Sequence, residues 1–251
     1  MLHPEKDRVK QAARDAKRAL AKLSRPAGAF DASRYFRGDE DLGFYNVGMS
    51  AVHQLSKSLA REHRPFWSVA DALTFADTLI QDRYLEVKEV GIEVLAAFRR
   101  GFTPRLLPVW KRWLASNYAA NWATTDSVCG ALIRPLLLAH PHLVKDVGRW
   151  SRHKNLWVRR ASAVGLLASI HKGNALDEAY RVARVLHADR EDLIQKAVGW
   201  MLREAGKVDP RRLERYLRAN GPSIPRTTVR YAIERFPPVR RRALLHVTRS
   251  S

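Results

Sequence analysis

The sequence predicts an all-α fold, a curved right-handed α-solenoid of paired helices, on three observations. Apolar residues recur at helical spacing nearly everywhere, and the alternating β-branched runs of strands are missing. Four stretches of similar shape begin at Tyr84, Asn121, Asn155 and Asp192, at intervals of 37, 34 and 37 residues. Between them a second series opens at Thr103-Pro104, His140-Pro141, Asn174-Ala175 and Asp209-Pro210, with Pro104, Pro141, Ala175 and Pro210 spaced 37, 34 and 35 apart. Proline in a first helical turn sacrifices no intrahelical hydrogen bond, so these residues read as helix starts.

Taken in order, Asp7 to Leu23 reads as a basic amphipathic helix and Ser24 to Phe30 as a loop. Helices follow at Asp31 to Phe36, Val47 to Glu62 and Ser68 to Gln81. The two interleaved series then run through the middle of the chain, each member of the first lasting about four turns. Pro225 to Phe236 and Val239 to Val247 close the chain as one more pair. Two helical series sharing one period describe stacked helix pairs, and HEAT-type repeats are the nearest class. No break in composition marks a second domain, so residues 1–251 read as a single stack, with 1–34 as an N-terminal helix and loop and 35–251 as the repeats. Such a stack binds on its inner face.

Charge narrows the partner. Lys and Arg number 45 against 25 for Asp and Glu, a formal net charge of +20 that asks for a polyanion. A 251-residue chain that is 46% hydrophobic can bury a real core, which excludes a disordered tail or a peptide hormone. The single cysteine, Cys129, removes a disulfide framework and any cysteine-based zinc site and suits a cytoplasmic setting. No run reaches the ~20 apolar residues of a membrane span, and the charged N-terminus lacks a signal-peptide core. There is no Gly-rich phosphate loop, no His-Glu-x-x-His and no nucleophile elbow. His140-Pro141-His142 has no third ligand nearby, so no metal or cofactor is expected.

Counting from the helix starts, Trp122 lies at offset 1, Asp126 and Arg160 at 5, Trp200 at 8 and Arg203 at 11. Offsets 1, 5 and 8 share one helix face. Tryptophan at helical spacing is more often core than site, and Trp110, Trp113, Trp150 and Trp157 are read as packing residues. The stripe holding Trp122 and Trp200 also carries an acid and two guanidinium groups, which burial in a core would penalise.

The strings Asn121-Trp-Ala-Thr-Thr-Asp126-Ser-Val, Asn155-Leu-Trp-Val-Arg-Arg160-Ala-Ser and Gln195-Lys196-Ala-Val-Gly199-Trp200-Met-Leu-Arg203-Glu204 resemble the DNA alkylation repair family typified by the AlkD alkylpurine glycosylases. The likeness is clear from about Phe102 to Phe236. Upstream, Ser33-Arg-Tyr35-Phe-Arg and Phe44-Tyr-Asn-Val-Gly48 look like that family's N-terminal segment. The resemblance implies a HEAT-like fold and excision of cationic N3- or N7-alkylated purines from double-stranded DNA. It makes Asp126 the catalytic carboxylate, with Trp122 and Trp200 as aromatic walls beside the lesion. Arg160, Tyr35, Lys196, Arg203 and Arg230 would hold the DNA, and Arg160 could instead pair with Asp126. Where the family often has two adjacent tryptophans this chain has Asn121-Trp122, and Ala123 to Thr125 lacks a second acid the family often carries. A monomer with no obligate protein partner and no membrane is expected. A non-catalytic binder of branched or bent DNA, and a scaffold for acidic protein segments, remain the competing readings.

Overall fold

The computed structural model describes residues 4–28, 36 and 41–249, with side chains from residue 7 onward in the first helix. Among the described residues the secondary structure is helical throughout, apart from one isolated bridge between Gly43 and Tyr84. The expected helix at Asp31 to Phe36, and Tyr35 with it, lie outside the described residues apart from Phe36. The chain divides into two compact units, residues 1–132 and 133–251.

In the first unit, α1 (Pro4–Lys22) packs on α3 (Val69–Leu79), while α2 (Gly48–His63) and α3 both pack on α4 (Leu85–Ala96). Ser68 caps α3 in a reciprocal capping box with Asp71, which satisfies two backbone donors at once. The strap before α2 is tied to the start of α4. The Gly43 N–H donates to the Arg83 carbonyl and the Leu85 N–H to the Gly43 carbonyl, at 2.8 and 3.0 Å. A side chain at Gly43 would strike the Tyr84 ring, 2.9 Å from where its Cβ would stand. The Glu86 carboxylate accepts from the Tyr45 and Asn46 amides, and Tyr45 stacks on Tyr84 with centroids 4.0 Å apart. Lys88, buried in α4, donates to the carbonyls of Ile80 and Tyr118, so its charge is compensated by backbone dipoles. A short 3-10 turn at Pro104–Leu106 then leads into α5 (Leu107–Ala115). Trp110 and Trp113 of α5 are fully buried, and the Trp113 indole N–H donates to Asp77 at 2.6 Å.

Next comes α6 (Trp122–Ser127), which departs from the expected four uninterrupted turns. It passes into a π-helical turn at Val128–Ile133 before α7 (Arg134–Ala139). Pro135 accounts for part of this, because it has no N–H to offer the ordinary i−4 ladder.

The second unit continues with α8 (Val144–Arg149), α9 (Leu156–Val164), α10 (Leu167–His171), α11 (Leu176–Leu186), α12 (Asp192–Val208), α13 (Pro210–Asn220), α14 (Arg226–Ala232) and α15 (Pro238–Val247). Asn155 caps α9 and Asp209 caps α13, each at a boundary the sequence marks. The helix expected to run to Phe236 ends at Ala232 instead, and a turn fills the space before Pro237-Pro238. Proline disfavours α geometry at Phe236, the residue before it, so the helix cannot continue through that position. The closest packing in this unit is α12 on α14. A Cβ on Gly199 would lie 2.4 Å from that of Tyr231 and 2.8 Å from the Thr228 carbonyl oxygen, so only glycine lets the two backbones meet. The Thr228 hydroxyl donates across this seam to the Gln195 carbonyl.

Candidate nucleic-acid interface

In the first unit, the Asn121 side chain accepts from the Thr124 amide at 2.8 Å, and the Thr125 hydroxyl donates to the Ala119 carbonyl at 2.7 Å. These bonds fix the first turn of α6 and leave Trp122 at its tip, 37% exposed. The Trp122 ring stacks on Phe36, centroids 5.3 Å apart and planes within 7°. It also forms one wall of an apolar pocket of about 690 Å³, with Phe36, Phe44, Met49 and Leu85. Asp126 follows one turn later and is half-buried. Trp122 and Asp126 therefore project from the same side of α6, as four-residue spacing requires.

Beneath α6 lies a residue the sequence reading passed over. Glu89 stands five positions after Tyr84, as Asp126 does after Asn121, and it is 4% exposed. Burial pushes its carboxyl up to about 7. Hydrogen bonds with Ser127 and Thr124 and the charge of Lys88 oppose that rise, while Glu93 adds to it. The shared offset was visible in the sequence; the burial that gives it meaning was not. Ser127 faces Glu89, so it makes no catalytic pair with its neighbour Asp126.

In the second unit, Arg160 of α9 is 6% exposed and donates from Nη1 to the Leu193 carbonyl at 2.7 Å. Sequence spacing gave its register but not its depth, and a backbone acceptor makes that depth tolerable. Lys196 of α12 is close enough for Arg160 to oppose its charge, yet the hydrogen bond to Asp192, at 2.6 Å, dominates and raises its ammonium's pKa. Trp200 is half-buried, and the Arg134 guanidinium sits 5.6 Å from its ring centroid, a cation–π contact no sequence motif announced. The Arg134 Nε also donates to the Val164 carbonyl at 3.1 Å. Arg203 is paired with Glu234 and lies 3.5 Å from Glu204, so its charge is already engaged. Arg230 is exposed on α14. Of the tryptophans read as packing residues, Trp150 is buried like Trp110 and Trp113, whereas Trp157 in the first turn of α9 is only half-buried.

His140 and His142 face each other with ring centroids 5.9 Å apart, and among the described residues no cluster of three metal-type ligands forms. No single helix among them is long and apolar enough to cross a membrane.

Paired helices repeating through both units place the protein in the class of all-α helical-repeat proteins. The model of the DNA alkylation repair enzyme family matches residues 16–236, and the chain belongs to that family. Its fold matches the solved structure of a predicted DNA alkylation repair enzyme from Enterococcus faecalis, with a TM-score of 0.74 and 19% identity over 86% of this chain and 97% of that one. Among curated proteins no relative matches.

Proposed function

We propose that this DNA alkylation repair enzyme is a glycosylase that hydrolyses the N-glycosidic bond of N3- and N7-alkylated purines in duplex DNA. The observation that carries the reading is the pairing on α6 of a half-buried carboxylate, Asp126, with a part-exposed indole, Trp122, one turn away. An alkylated purine of this kind is already cationic and leaves without a proton from the enzyme. The demand falls on the sugar, which becomes oxocarbenium-like as the bond to C1′ lengthens. A carboxylate held close to C1′ stabilises that charge and orients the water that attacks it. An indole face is electron-rich and favours a neighbouring cation by roughly 1 to 2 kcal/mol when desolvated.

Trp200 is read as a further aromatic contact in the second unit, where Arg160, Lys196 and Arg230 are assigned to the DNA backbone, as Tyr35 is in the first, while Arg203 would have to exchange Glu234 for phosphate. Arg160 is held in place by its bond to the Leu193 carbonyl, which fixes the guanidinium plane. A pure DNA binder would gain nothing from an acid at Asp126, which repels phosphate.

Single-turnover release of 7-methylguanine from a defined duplex, followed by mass spectrometry, tests the reading. Asp126→Asn is expected to bind DNA as the parent does and to excise at least roughly 10²-fold more slowly. Equal rates would remove Asp126 from the mechanism. No free base above the Asp126→Asn control would favour a non-catalytic DNA-binding protein.

A further inference from the structure

In the first unit, a groove between α2 and the end of α4 gathers basic side chains. Helix α2 turns Val52, Ser56 and Ala60 inward as it packs against α4. On its outer side His53, Lys57 and Arg61 follow at four-residue intervals, about 6 Å apart along the axis. They line a groove of about 890 Å³ together with Arg64 beyond the helix end and Arg99 after α4.

The acids do not balance these cations. The carboxylate in the groove, Glu93, is already taken by His53 at 2.6 Å. Arg64 spends one Nη2 donor on the carbonyl of Ala97 at the end of α4, which positions its guanidinium without neutralising it. Among the described residues no ion pair engages Lys57, Arg61 or Arg99, whereas Arg112, Arg149, Arg159, Arg181, Arg203 and Arg212 each have an acidic partner. The groove is much larger than a lone phosphate, so it suits an extended polyanion. Because the apolar side of α2 is buried against α4, the helix has no face to insert into lipid.

We propose that the α2–α4 groove, through Lys57, Arg61, Arg64 and Arg99, binds the phosphodiester backbone of DNA as a contact separate from the lesion-binding residues. This rests on the reading of the protein as a duplex-DNA enzyme. Phosphate neutralised by arginine and lysine releases counterions, so each such contact steepens the dependence of affinity on salt. Phe66, 83% exposed just past Arg64, is the feature a lipid surface would also use, so vesicles form one arm of the test.

The experiment measures affinity for an undamaged, labelled duplex by fluorescence anisotropy across a salt series, using the full chain. Lys57→Gln/Arg61→Gln/Arg99→Gln is compared with the parent and with an equal charge loss elsewhere, Lys145→Gln/Arg152→Gln/Arg184→Gln. Circular dichroism confirms that both variants are folded. The groove variant is expected to show a log–log salt slope shallower by about 2 to 3. The charge-matched control is expected to change by less than about 1. Matching slopes for the groove variant and the parent, or equal losses in the two variants, would overturn the proposal while leaving the enzyme reading intact. A parent protein with no salt-dependent DNA binding would sink both. Retained DNA binding with lost attachment to phosphatidylserine vesicles would assign the groove to membranes instead.

Discussion

Trp122 and Trp200 are the same residue type on helices of the same repeat series, one in each unit, and their surroundings differ in kind. Trp122 sits at a helix tip against Phe36, on the rim of an apolar pocket, with a protonatable carboxyl under its helix. Trp200 sits in mid-helix beside a glycine seam, with a guanidinium over its ring. The first indole has apolar company on its face, and the second already has a cation. Register alone therefore assigns position, while the neighbours decide what an indole can still do.

The predictions test that contrast, beginning with the largest. Gly199→Ala forces a Cβ into Tyr231 and the Thr228 carbonyl, and is expected to destabilise the protein by about 2 to 4 kcal/mol. Denaturant titration checks it, and a loss under 1 kcal/mol would mean the seam can relax. At the other tryptophan the control is electrostatic. Glu89 keeps its proton to about 7 in the fold, whereas a carboxyl in the unfolded chain loses it near 4.5. The native state therefore binds more protons between those values, and stability falls as pH rises through that window, by on the order of 3 kcal/mol. Glu89→Gln removes this slope and is expected to be the more stable protein above pH 7. Urea midpoints at several pH values measure it, and parallel curves for parent and variant would show that Glu89 does not titrate there.

Smaller effects separate the two indoles directly. Trp122→Ala is expected to slow excision by roughly 5- to 30-fold, in line with about 1 to 2 kcal/mol of cation stabilisation. Trp200→Ala should cost less, because Arg134 already spends part of that ring's cation affinity. Equal losses would erase the contrast. Smallest of all, Arg134→Gln is expected to change excision by less than about fivefold, since a single cation–π contact of this kind is worth ~0.5 to 1 kcal/mol.

Much of the scaffold is legible in the sequence because capping chemistry is local. Asn121, Asn155 and Asp209 stand at helix boundaries, and Pro104, Pro141 and Pro210 each open a first turn, because a side-chain acceptor or a missing N–H acts within one turn. The burial of Arg160 depends on packing between elements far apart in sequence, which periodicity does not encode. Candidate site residues were found by shared offset, and Glu89 shared it too. It was overlooked because a glutamate on a helix ordinarily faces water, and only the packing of α4 against α6 makes this one a buried acid. The groove on α2 escaped for the opposite reason: basic residues at helical spacing look like an ordinary solvated face until their acids are found to be elsewhere.

The buried carboxylate of Glu204 has a practical consequence at the bench. Burial alone would favour its protonated form, but Lys207 and His171 both hydrogen-bond to it, at 2.7 and 2.8 Å, and hold its carboxyl below the ordinary range. Because Glu204 is buried, its pair with the half-exposed Lys207 is screened less than a fully exposed one, whereas contacts to phosphate fade as the Debye length shrinks to ~3 Å near 1 M salt. A high-salt wash should therefore strip adventitious nucleic acid during purification and leave this network, and the helices it joins, in place.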